Sequence, residues 1–491
     1  MNLVVGAGLG GLAVSIRLAA CGESVTVFEG NSYPGGKATV FDLNGYRFDA
    51  GPSLFTLPEQ VDALFELADR NPREYFNYSK QSEACRYFWN DGDRFQAVSD
   101  PETFAENVSR HFGETSEAVL DYLSQAAVSY KSLGKIFLKK SLHRADTWIS
   151  KPVLEAIPQV RVSDLWHSMH TQNSKAFENP KVIQLFNRFA TYNGSDPYRA
   201  PGLMTMIPHL EHGVGTFFPQ GGIHAITESL FKLALDLGVR FEFNAPVSKI
   251  VCQTDGSVSG LEVQGSLYSG ERVISNMDVV PTYRQLLPHI KAPEKTLAQE
   301  RSTSALIFYW GIRDSFRELG LHNIFFTEDY QAEFRDLFEN KRIHEDPTVY
   351  IHISNKCKIE DAPSGCENWF VMVNAPHDRE TDWDEVVPRI KKQILGKLTR
   401  LLERDIASLI ECEEILTPLR IEQRTQSFKG ALYGAASNNP FAAFLRHPNK
   451  ARKPDGLFFV GGSVHPGGGI PLVLNSAEIT ADLIGREKRR A

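Results

Sequence analysis

The chain has 491 residues, of which 42% are hydrophobic and 23% are charged, and its formal net charge at pH 7 is −7. This composition can bury a large core and excludes a disordered, collagen-like or low-complexity chain, while the length predicts two domains or one large elaborated domain. Nucleic-acid binding needs a basic field opposite the phosphates, so the acidic balance argues against a nucleic-acid partner.

The first thirty residues predict a complete βαβ unit. Residues 3–5 have the apolar pattern of a buried strand, and residues 6–11 form a glycine-rich turn. A helix is predicted over 12–20, with apolar residues on one side, and a second strand ends at Glu29. This order of elements indicates a Rossmann-type nucleotide-binding fold.

The glycine-rich turn has the spacing of a dinucleotide-binding loop. Gly6 permits the turn, Gly8 allows a pyrophosphate to approach the backbone, and Gly11 allows the helix to pack closely on the strand. The helix N-terminus adds free N–H groups and the positive end of the helix dipole. Glu29 is placed to accept hydrogen bonds from a ribose diol, which favours FAD or NAD over NADP. An ordinary βαβ turn with incidental glycines would explain neither the glycine density nor the acid.

A second glycine turn distinguishes FAD from NAD. Gly35 and Gly36 lie just beyond Glu29 and are followed by Lys37, and a further turn comes at 45–53. An NAD domain would normally continue into another helix, whereas additional turns and a lysine beside the pyrophosphate suit a longer, more extended dinucleotide. The sequence therefore predicts FAD as the cofactor.

The later predicted elements again combine strands, turns and helices. In chain order they are an amphipathic helix that ends at Gly238, strands over 239–243 and 247–253, a β-meander that ends at Asn276, a strand over 457–460, a glycine loop over 461–471 and a helix from about 473 to 484. Since a strand, a glycine loop and a helix recur near the C-terminus, we expect a second helix N-terminus at the cofactor, at the electron-rich end of the flavin ring.

The positions of the glycine motifs divide the chain into two discontinuous domains. Residues 1–70, 215–280 and 410–491 carry these motifs and are predicted to form an α/β FAD-binding domain. Residues 71–214 and 281–409 are rich in aromatic side chains and lack the motifs, so they are assigned to an α+β substrate domain.

Five motifs together resemble those of the bacterial-type carotenoid (phytoene) desaturases. They are VGAGLGGL at 5–12, PGGK at 34–37, FDAGPS at 48–53, FPQGG at 218–222 and GGSVHPGGGIP at 461–471. The N-terminal motifs are shared with amine oxidases and protoporphyrinogen oxidases, whereas the HPGGGIP loop is much more specific. The match extends over nearly the whole chain.

The resemblance implies the FAD-binding fold of the amine oxidases and phytoene desaturases, non-covalent FAD, and a long polyene (carotenoid) substrate. Position by position, it implies FAD contacts at Gly6, Gly8, Gly11, Glu29, Gly36, Lys37, Gly51, Pro52, Val247, Gly462, Gly469, Ile470 and Pro471. Many relatives have Ala or Asp where Ser463 stands and Gly where Leu472 stands, which disfavours phytoene as substrate. The pattern is more similar to the branch that desaturates hydroxylated carotenoids at the 3,4 bond.

The chemistry of such a reaction needs few protein side chains. A flavin can take a hydride from an allylic carbon, and the resulting cation is delocalised along the polyene, so a weak base suffices for the following proton loss. His465 is the titratable residue of the C-terminal glycine loop and the candidate base, with support of the loop as the alternative role. Glu211, His209 and His212 could line the substrate side, and the two histidines have no third metal ligand in register.

A cationic segment suggests contact with a membrane surface. Residues 122–145 carry five cations and no acid, and Lys131, Lys135 and Lys139 would share one face of a helix beside apolar residues such as Phe137. The alternative is a solvated face on a core helix. Aromatic residues that could line a polyene tunnel, or belong to ordinary core, are Phe186, Phe189, Tyr192 and Tyr198.

The expected location is the cytoplasm, with peripheral association at the inner face of the membrane. No stretch has the length and apolarity of a transmembrane helix, and the N-terminus lacks a signal-peptide pattern. The six scattered cysteines are expected to be reduced thiols, as is typical of a cytosolic protein. Oxygen or a quinone would accept the electrons.

Three other functions stay open on the sequence alone. Phytoene desaturation and a flavin-dependent isomerisation or saturation of polyenes use the same scaffold. A lipid-carrying protein that has lost its flavin would be of a different class, and the intact glycine loop and Glu29 argue against it.

Overall fold

The structure is a computed structural model that describes residues 1–149, 153, 166–439 and 445–489. Its strands are β1 (Asn2–Val5), β2 (Val25–Phe28), β3 (Thr39–Leu43), β4 (Tyr46–Ala50), β5 (Tyr78–Lys80), β6 (Glu83–Phe88), β7 (Arg94–Val98), β8 (Phe217–Pro219), β9 (Arg240–Glu242), β10 (Val247–Cys252), β11 (Val258–Val263), β12 (Ser266–Ser269), β13 (Arg272–Ser275), β14 (Ser304–Ile312), β15 (His322–Phe325), β16 (Val349–Ile353), β17 (Glu367–Ala375), β18 (Ile410–Leu416) and β19 (Leu457–Phe459).

The helices of eight or more residues are α1 (Leu9–Ala20), α2 (Glu59–Leu67), α3 (Pro101–Phe112), α4 (Ser116–Ser129), α5 (Met169–Ala176), α6 (Pro180–Asn187), α7 (His224–Asp236), α8 (Trp383–Leu402), α9 (Pro418–Thr425) and α10 (Ile470–Lys488). Shorter α-helical segments are Lys135–Phe137, Ala145–Trp148, Val279–Pro281, Glu294–Leu297 and Tyr330–Arg335.

A five-stranded parallel sheet forms the centre of the nucleotide-binding part, in the order β19-β13-β1-β2-β9. Val4 of β1 belongs to the hydrophobic cluster of α1, α7 and α10, whereas Leu3 and Val5 belong to the cluster formed with the three-stranded meander β10-β11-β12. Because both faces are covered, β1 is an unbroken apolar run, as expected for a central parallel strand.

Two helices of this part begin earlier than the sequence predicts. α1 begins at Leu9 and α10 begins at Ile470, three residues ahead of the predicted starts in each case. Pro471 lies in the first turn of α10, where a residue without an N–H is tolerated. The glycine loops are therefore shorter, and the helix ends lie closer to the sheet, than predicted.

The second large sheet has seven strands in the order β18-β14-β17-β16-β15-β6-β7. One of its faces packs against α8 through a cluster that includes Trp310, Val371 and Ile394. Its other face packs against the β3-β4 hairpin at one end and against α3, α4 and α6 at the other. The second face is therefore turned towards the nucleotide-binding part.

The strands are distributed over the chain much as the predicted domain division assigns them, apart from two pairings. β5, in the predicted substrate domain, pairs with β8 of the predicted FAD-binding domain. The parallel sheet draws its strands from residues 2–5, 25–28, 240–242, 272–275 and 457–459. β18 begins at the predicted boundary at residue 410, yet it pairs with β14 in the seven-stranded sheet. The division itself stays a prediction.

The helix predicted within residues 122–145 ends earlier than the cationic segment does. α4 ends at Ser129, a π-helical turn follows at Tyr130–Gly134, and the next helical segment has only three residues. Ile136 and Leu142 are buried in a small cluster with Leu203. The helical path runs through the π-helical turn to Phe137, so Lys139 and Lys140 lie beyond its end.

Candidate functional site

The two N-terminal glycine turns lie against each other. Gly35 pairs with Gly8 in a short parallel bridge, and a Cβ on Gly36 would lie 3.4 Å from the Cα of Gly8. Gly6 has a φ of +94°, and a Cβ on Gly11 would overlap the carbonyl oxygen of Gly6. The four glycines predicted to contact the cofactor in this region thus form one close-packed cradle.

Asn276 is a site residue that no sequence pattern indicated. A Cβ on Gly8 would lie 2.7 Å from Asn276 Nδ2, and one on Gly10 would lie 2.5 Å from Asn276 Oδ1. The main-chain N–H of Asn276 donates to the Val5 carbonyl over 2.8 Å, which holds the residue at the carboxyl end of β1. Within the described chain its side-chain amide makes no hydrogen bond, so it is available to a ligand at the glycine loop.

Glu29 has one acceptor site left for a ribose hydroxyl. Its Oε2 accepts the N–H of Ala7 over 2.7 Å, and its Oε1 accepts the backbone and side-chain N–H groups of Asn31, each over 2.9 Å. A carboxylate offers about four lone-pair sites, and these contacts use three.

Val247, another predicted cofactor contact, begins β10 and packs against the hydrophobic cluster beneath β2.

The C-terminal glycine loop meets the N-terminal loop directly. A Cβ on Gly10 would lie 3.1 Å from the backbone nitrogen of Gly461. No described side chain caps the N-terminus of α1 or α10, and neither first turn holds an acid. Two positive helix ends therefore lie at one site, which favours a bound anion. The predicted cofactor residues of this loop are Gly462, Gly469, Ile470 and Pro471.

Lys37 is a buried cation that bridges distant parts of the chain. Its Nζ donates to the carbonyls of Leu432 (2.8 Å) and Ala431 (3.3 Å). Burial lowers the pKa of Lys37 to about 8, with Asp278 opposing this shift and Arg301 adding to it. An ammonium has three N–H donors, so one remains for a ligand.

The predicted contacts Gly51 and Pro52 lie beside this lysine. A Cβ on Gly51 would overlap the carbonyl oxygen of Lys37, so only glycine fits there. On the other side of the 431–434 segment, Arg446 Nη1 donates to the Tyr433 carbonyl over 2.6 Å. Burial lowers the pKa of Arg446 to about 10. Two cations thus hold this segment between the N-terminal and C-terminal glycine loops.

Three ionisable side chains near these loops have strongly shifted pKa values. Lys37, Tyr350 and Tyr433 each keep accessible surface. Burial nevertheless raises the pKa of Tyr350, raises that of Tyr433 to about 12, and lowers that of Lys37. Burial therefore favours the neutral form of each group more than water would.

His465 is held by backbone contacts. Its Nε2 lies 2.8 Å from the Lys140 carbonyl, and because a carbonyl can only accept, this nitrogen carries the proton. Asn449 Nδ2 donates to the His465 carbonyl over 2.8 Å. These contacts attach the loop to the segment after α4, as the supporting role requires, and the function of His465 stays a prediction.

Glu211 is part of a buried ion pair. Its Oε1 accepts from Arg188 Nη2 over 2.5 Å, and its Oε2 accepts the Tyr192 hydroxyl. Arg188 also donates through Nε to the Tyr87 hydroxyl over 2.7 Å. The pair holds the pKa of Glu211 below its usual value although burial opposes this. These bonds join α6, β6 and the turn before β8.

The two histidines near Glu211 have different neighbours. The His212 ring stacks on Phe104 with a centroid distance of 4.0 Å, and burial lowers its pKa to about 4. The His209 ring lies 5.4 Å from that of Tyr130. Across the described residues, no three potential metal ligands come together.

The aromatic residues predicted as core or tunnel wall divide into two kinds. Phe186 and Phe189 are fully buried in the cluster around α3, α4 and α6. Tyr192 and Tyr198 pack against the same cluster and keep accessible surface. The phenylalanines therefore belong to the core.

These residues fit FAD. The close-packed glycines leave backbone room for a pyrophosphate, and the helix ends of α1 and α10 supply N–H donors and positive potential. Glu29 would bind the ribose, and Lys37 would place a positive charge beside the ring or the phosphates. At the N-cap of α10, a Cβ on Gly469 would meet no atom within 4 Å, so its surroundings are open.

Sequence relatives cover almost the entire chain. The 1-hydroxycarotenoid 3,4-desaturase of Flavobacterium sp. (strain P99-3) is 52% identical over 482 residues, which are 98% of this chain and 98% of the relative. The 4,4'-diapolycopene oxygenase of Methylomonas sp is 30% identical over 489 residues, 98% of this chain and 97% of the relative. The predicted resemblance to carotenoid desaturases is confirmed.

Solved flavoenzyme structures share the fold. Cyclohexylamine oxidase from Brevibacterium oxydans IH-35A superposes with a TM-score of 0.61 at 15% identity, over 100% of this chain and 99% of that one. Putrescine oxidase bound to putrescine gives 0.62 at 14% identity, over 100% and 99%. The predicted fold class is confirmed. Since the flavin containing amine oxidoreductase family matches residues 9–485, this chain belongs to that family, and its cofactor is FAD.

Proposed function

We propose that the protein is an FAD-dependent carotenoid desaturase that introduces a C=C bond at the 3,4 position of a hydroxylated acyclic or monocyclic carotenoid. The observation that carries this proposal is the full-length relative at 52% identity, whose name gives that reaction. The cofactor cradle supports it, because an unactivated C–C bond offers nothing that a side chain could ionise and the electrons must leave through a cofactor.

The reaction removes two hydrogens from neighbouring carbons. When bound, FAD supplies the acceptor for a hydride from one carbon, and a proton leaves the other as the double bond forms. The chain's own residues bind the cofactor, exclude water and hold the polyene in position. We propose that His465 is a positioning residue, since its bond to the Lys140 carbonyl joins the C-terminal glycine loop to the segment after α4.

Product mass tests the proposed reaction. FAD-loaded protein in liposomes is incubated with acyclic, monocyclic and hydroxylated carotenoids, and the products are identified by mass and absorption. We expect the hydroxylated substrate to lose two hydrogens. An unchanged mass would indicate isomerisation, a gain would indicate saturation, and protein without flavin absorption would indicate a lipid carrier. Preference for phytoene would favour the phytoene desaturase alternative. Rates with oxygen and with a quinone identify the electron acceptor.

We further propose peripheral attachment of the protein to the cytoplasmic face of the membrane. Its substrate is insoluble in water, and Lys131, Lys139 and Lys140 are exposed in the segment after α4. Nearby in sequence, Trp148 and Ile149 are exposed apolar residues. In the part of the chain that the structure describes, no helix has the length and apolarity to cross a bilayer.

A matched pair of substitutions tests the attachment. Ile149 and Ile359 are 77% and 78% exposed, so replacing either with Glu removes similar apolar surface. We expect Ile149→Glu to reduce co-sedimentation with anionic liposomes and Ile359→Glu to leave it unchanged. Equal effects of the two substitutions would contradict the assignment of this surface.

A further inference from the structure

A line of three hydrogen-bonded side chains begins at Ser53, in the segment that carries predicted cofactor contacts. Ser53 Oγ lies 2.8 Å from the Tyr350 hydroxyl, which lies 2.8 Å from His322 Nδ1. Ser53 directly follows Gly51 and Pro52, the predicted cofactor contacts. Tyr350 and His322 lie on adjacent strands, β16 and β15, of the seven-stranded sheet. The line therefore joins the segment of the predicted cofactor contacts to the sheet.

The line carries no charge at neutral pH. Burial lowers the pKa of His322 well below its usual value and raises that of Tyr350. His352, whose ring lies 5.2 Å from that of His322, has its pKa lowered to about 4 by burial. A ligand group that binds such a line is neutral as well, because an ion would be desolvated without a counter-charge.

The hydrogen bonding leaves capacity for a ligand at Ser53. If His322 Nδ1 accepts from Tyr350, then Tyr350 accepts from Ser53, and the Ser53 oxygen is a free acceptor. If His322 Nδ1 donates to Tyr350, then Tyr350 donates to Ser53, and the Ser53 hydroxyl is a free donor. In the described part of the chain Ser53 Oγ bonds only to Tyr350. An alcohol can both donate and accept, so it completes the line in either tautomer.

The surroundings of the line are apolar. Tyr350 packs against two hydrophobic clusters, one with Phe370 and Ile307 and the other with Phe186. Apolar surroundings suit a polyene, and a single neutral polar line among them suits a substrate with one hydroxyl group. The position of Ser53 next to the predicted cofactor contacts is consistent with a bound hydroxyl on carbon 1 of the substrate. Carbon 1 is only two bonds from carbon 3, which must lie at the flavin.

We propose that Ser53, supported by Tyr350 and His322, binds the hydroxyl group of the carotenoid substrate and so sets the preference for hydroxylated over non-hydroxylated polyenes. Ser53 is the specificity-determining residue in direct contact with the substrate, and Tyr350 and His322 position it. This inference rests on the proposed function.

The test compares two polyenes of equal length that differ only in the terminal hydroxyl. Ser53→Ala and Tyr350→Phe each remove one hydroxyl from the line. We expect the ratio of kcat/KM for the hydroxylated over the non-hydroxylated polyene to fall by about tenfold or more in both variants. Affinity for the hydroxylated polyene, measured by quenching of protein fluorescence, should fall in parallel with that ratio.

Tyr309→Phe is the matched control. Tyr309 lies in β14 of the same sheet, is fully buried, and has a hydroxyl without a hydrogen-bond partner among the described residues. Its loss should leave the ratio unchanged. If the Tyr350→Phe variant fails to retain FAD, the result with Ser53→Ala alone tests the inference. Suppose that the wild type desaturates the hydroxylated polyene but Ser53→Ala leaves the ratio of the two kcat/KM values unchanged. This result would overturn only this inference. A wild type that desaturates neither polyene overturns the proposed function and this inference with it.

Discussion

The side-chain amide of Asn276 lies directly over the backbone of Gly8. A Cβ on Gly8 would come within 2.7 Å of Asn276 Nδ2, so the two residues occupy the same gap at the carboxyl end of β1. Ligands of open α/β sheets bind at this end of the strands. The pair thus joins the first glycine loop to β13, which enters the central sheet some 270 residues later in the chain.

Replacing Asn276 with Leu should weaken flavin binding. The change keeps the branched shape of the side chain and removes the amide that the glycine loop leaves available to a ligand. We expect purified Asn276→Leu protein to hold a smaller fraction of bound FAD than the wild type, as measured by the ratio of flavin to protein absorption. Asn107→Leu, at a half-exposed position of α3, serves as the control. Full flavin content in Asn276→Leu would remove this residue from the site.

Gly11→Ala should abolish flavin binding. The added Cβ would overlap the carbonyl oxygen of Gly6, so the first turn of α1 would have to move away from β1. Gly485→Ala, in α10, is the matched control, because its Cβ would meet no atom within 4 Å. Alanine is the better helix former, so this control should be slightly more stable in urea unfolding. Equal flavin content in the two variants would contradict the close packing.

Flavin affinity should fall as the pH rises through about 8. Burial lowers the pKa of Lys37 to about 8, so the folded apoprotein loses this charge there and no longer attracts the anionic cofactor. Because the unfolded chain keeps the proton up to the ordinary lysine pKa, Lys37 makes the unfolding free energy of the apoprotein increase with pH between these two values. Titrations of apoprotein with FAD at pH 7 and 9 should show the fall in affinity. The Lys37→Met variant should bind FAD weakly, and its affinity should depend less on pH.

Glu211→Gln should destabilise the protein strongly. The change leaves the Arg188 guanidinium buried without a counter-charge, since their side chains are only 2% and 8% exposed. Breaking a buried pair costs about 3–5 kcal/mol. Glu294→Gln is the control, because its pair with Arg284 is 61% and 53% exposed and should contribute little. Urea midpoints of both variants test this, and equal midpoints would refute a structural role for the pair.

His465→Gln should retain most of the desaturase activity, and His465→Ala should lose more of it. Gln can donate an N–H to the Lys140 carbonyl as His465 Nε2 does, whereas Ala cannot. The pH dependence of kcat in the Gln variant should match that of the wild type. Loss of an acidic limb of that profile in the Gln variant would show instead that the imidazole is the base.

The nucleotide-binding unit could be predicted from the sequence because its signals are local. The apolar run 3–5, the glycines of the loop and Glu29 follow one another within one βαβ unit. Each of them has a definite role in the strand, the turn or ribose binding. The sequence predicts the helix starts at Leu9 and Ile470 three residues too late, because glycine and proline occur at the ends of loops as well as in the first turns of helices.

The remaining site residues could not be predicted, because they depend on pairing between distant strands. Asn276 reaches the glycine loop only through the register of β13 on β1. Likewise, Tyr350 and His322 meet through the pairing of β16 with β15, and Ser53 comes from a third segment. The helix of the cationic segment ends at Phe137, and periodicity alone does not show which side chains, such as Ile136, will be buried.

The position of β19 in the parallel sheet has a consequence for biosynthesis. This strand pairs with β13, and α10, which follows it, supplies the second helix end at the nucleotide. A ribosome must therefore translate residues 457–488 before the pocket is complete, long after β1 and α1 have emerged. Flavin loading is then a late event, and a nascent chain that stalls before β19 would have half a cradle and an uncovered sheet edge, a target for chaperones.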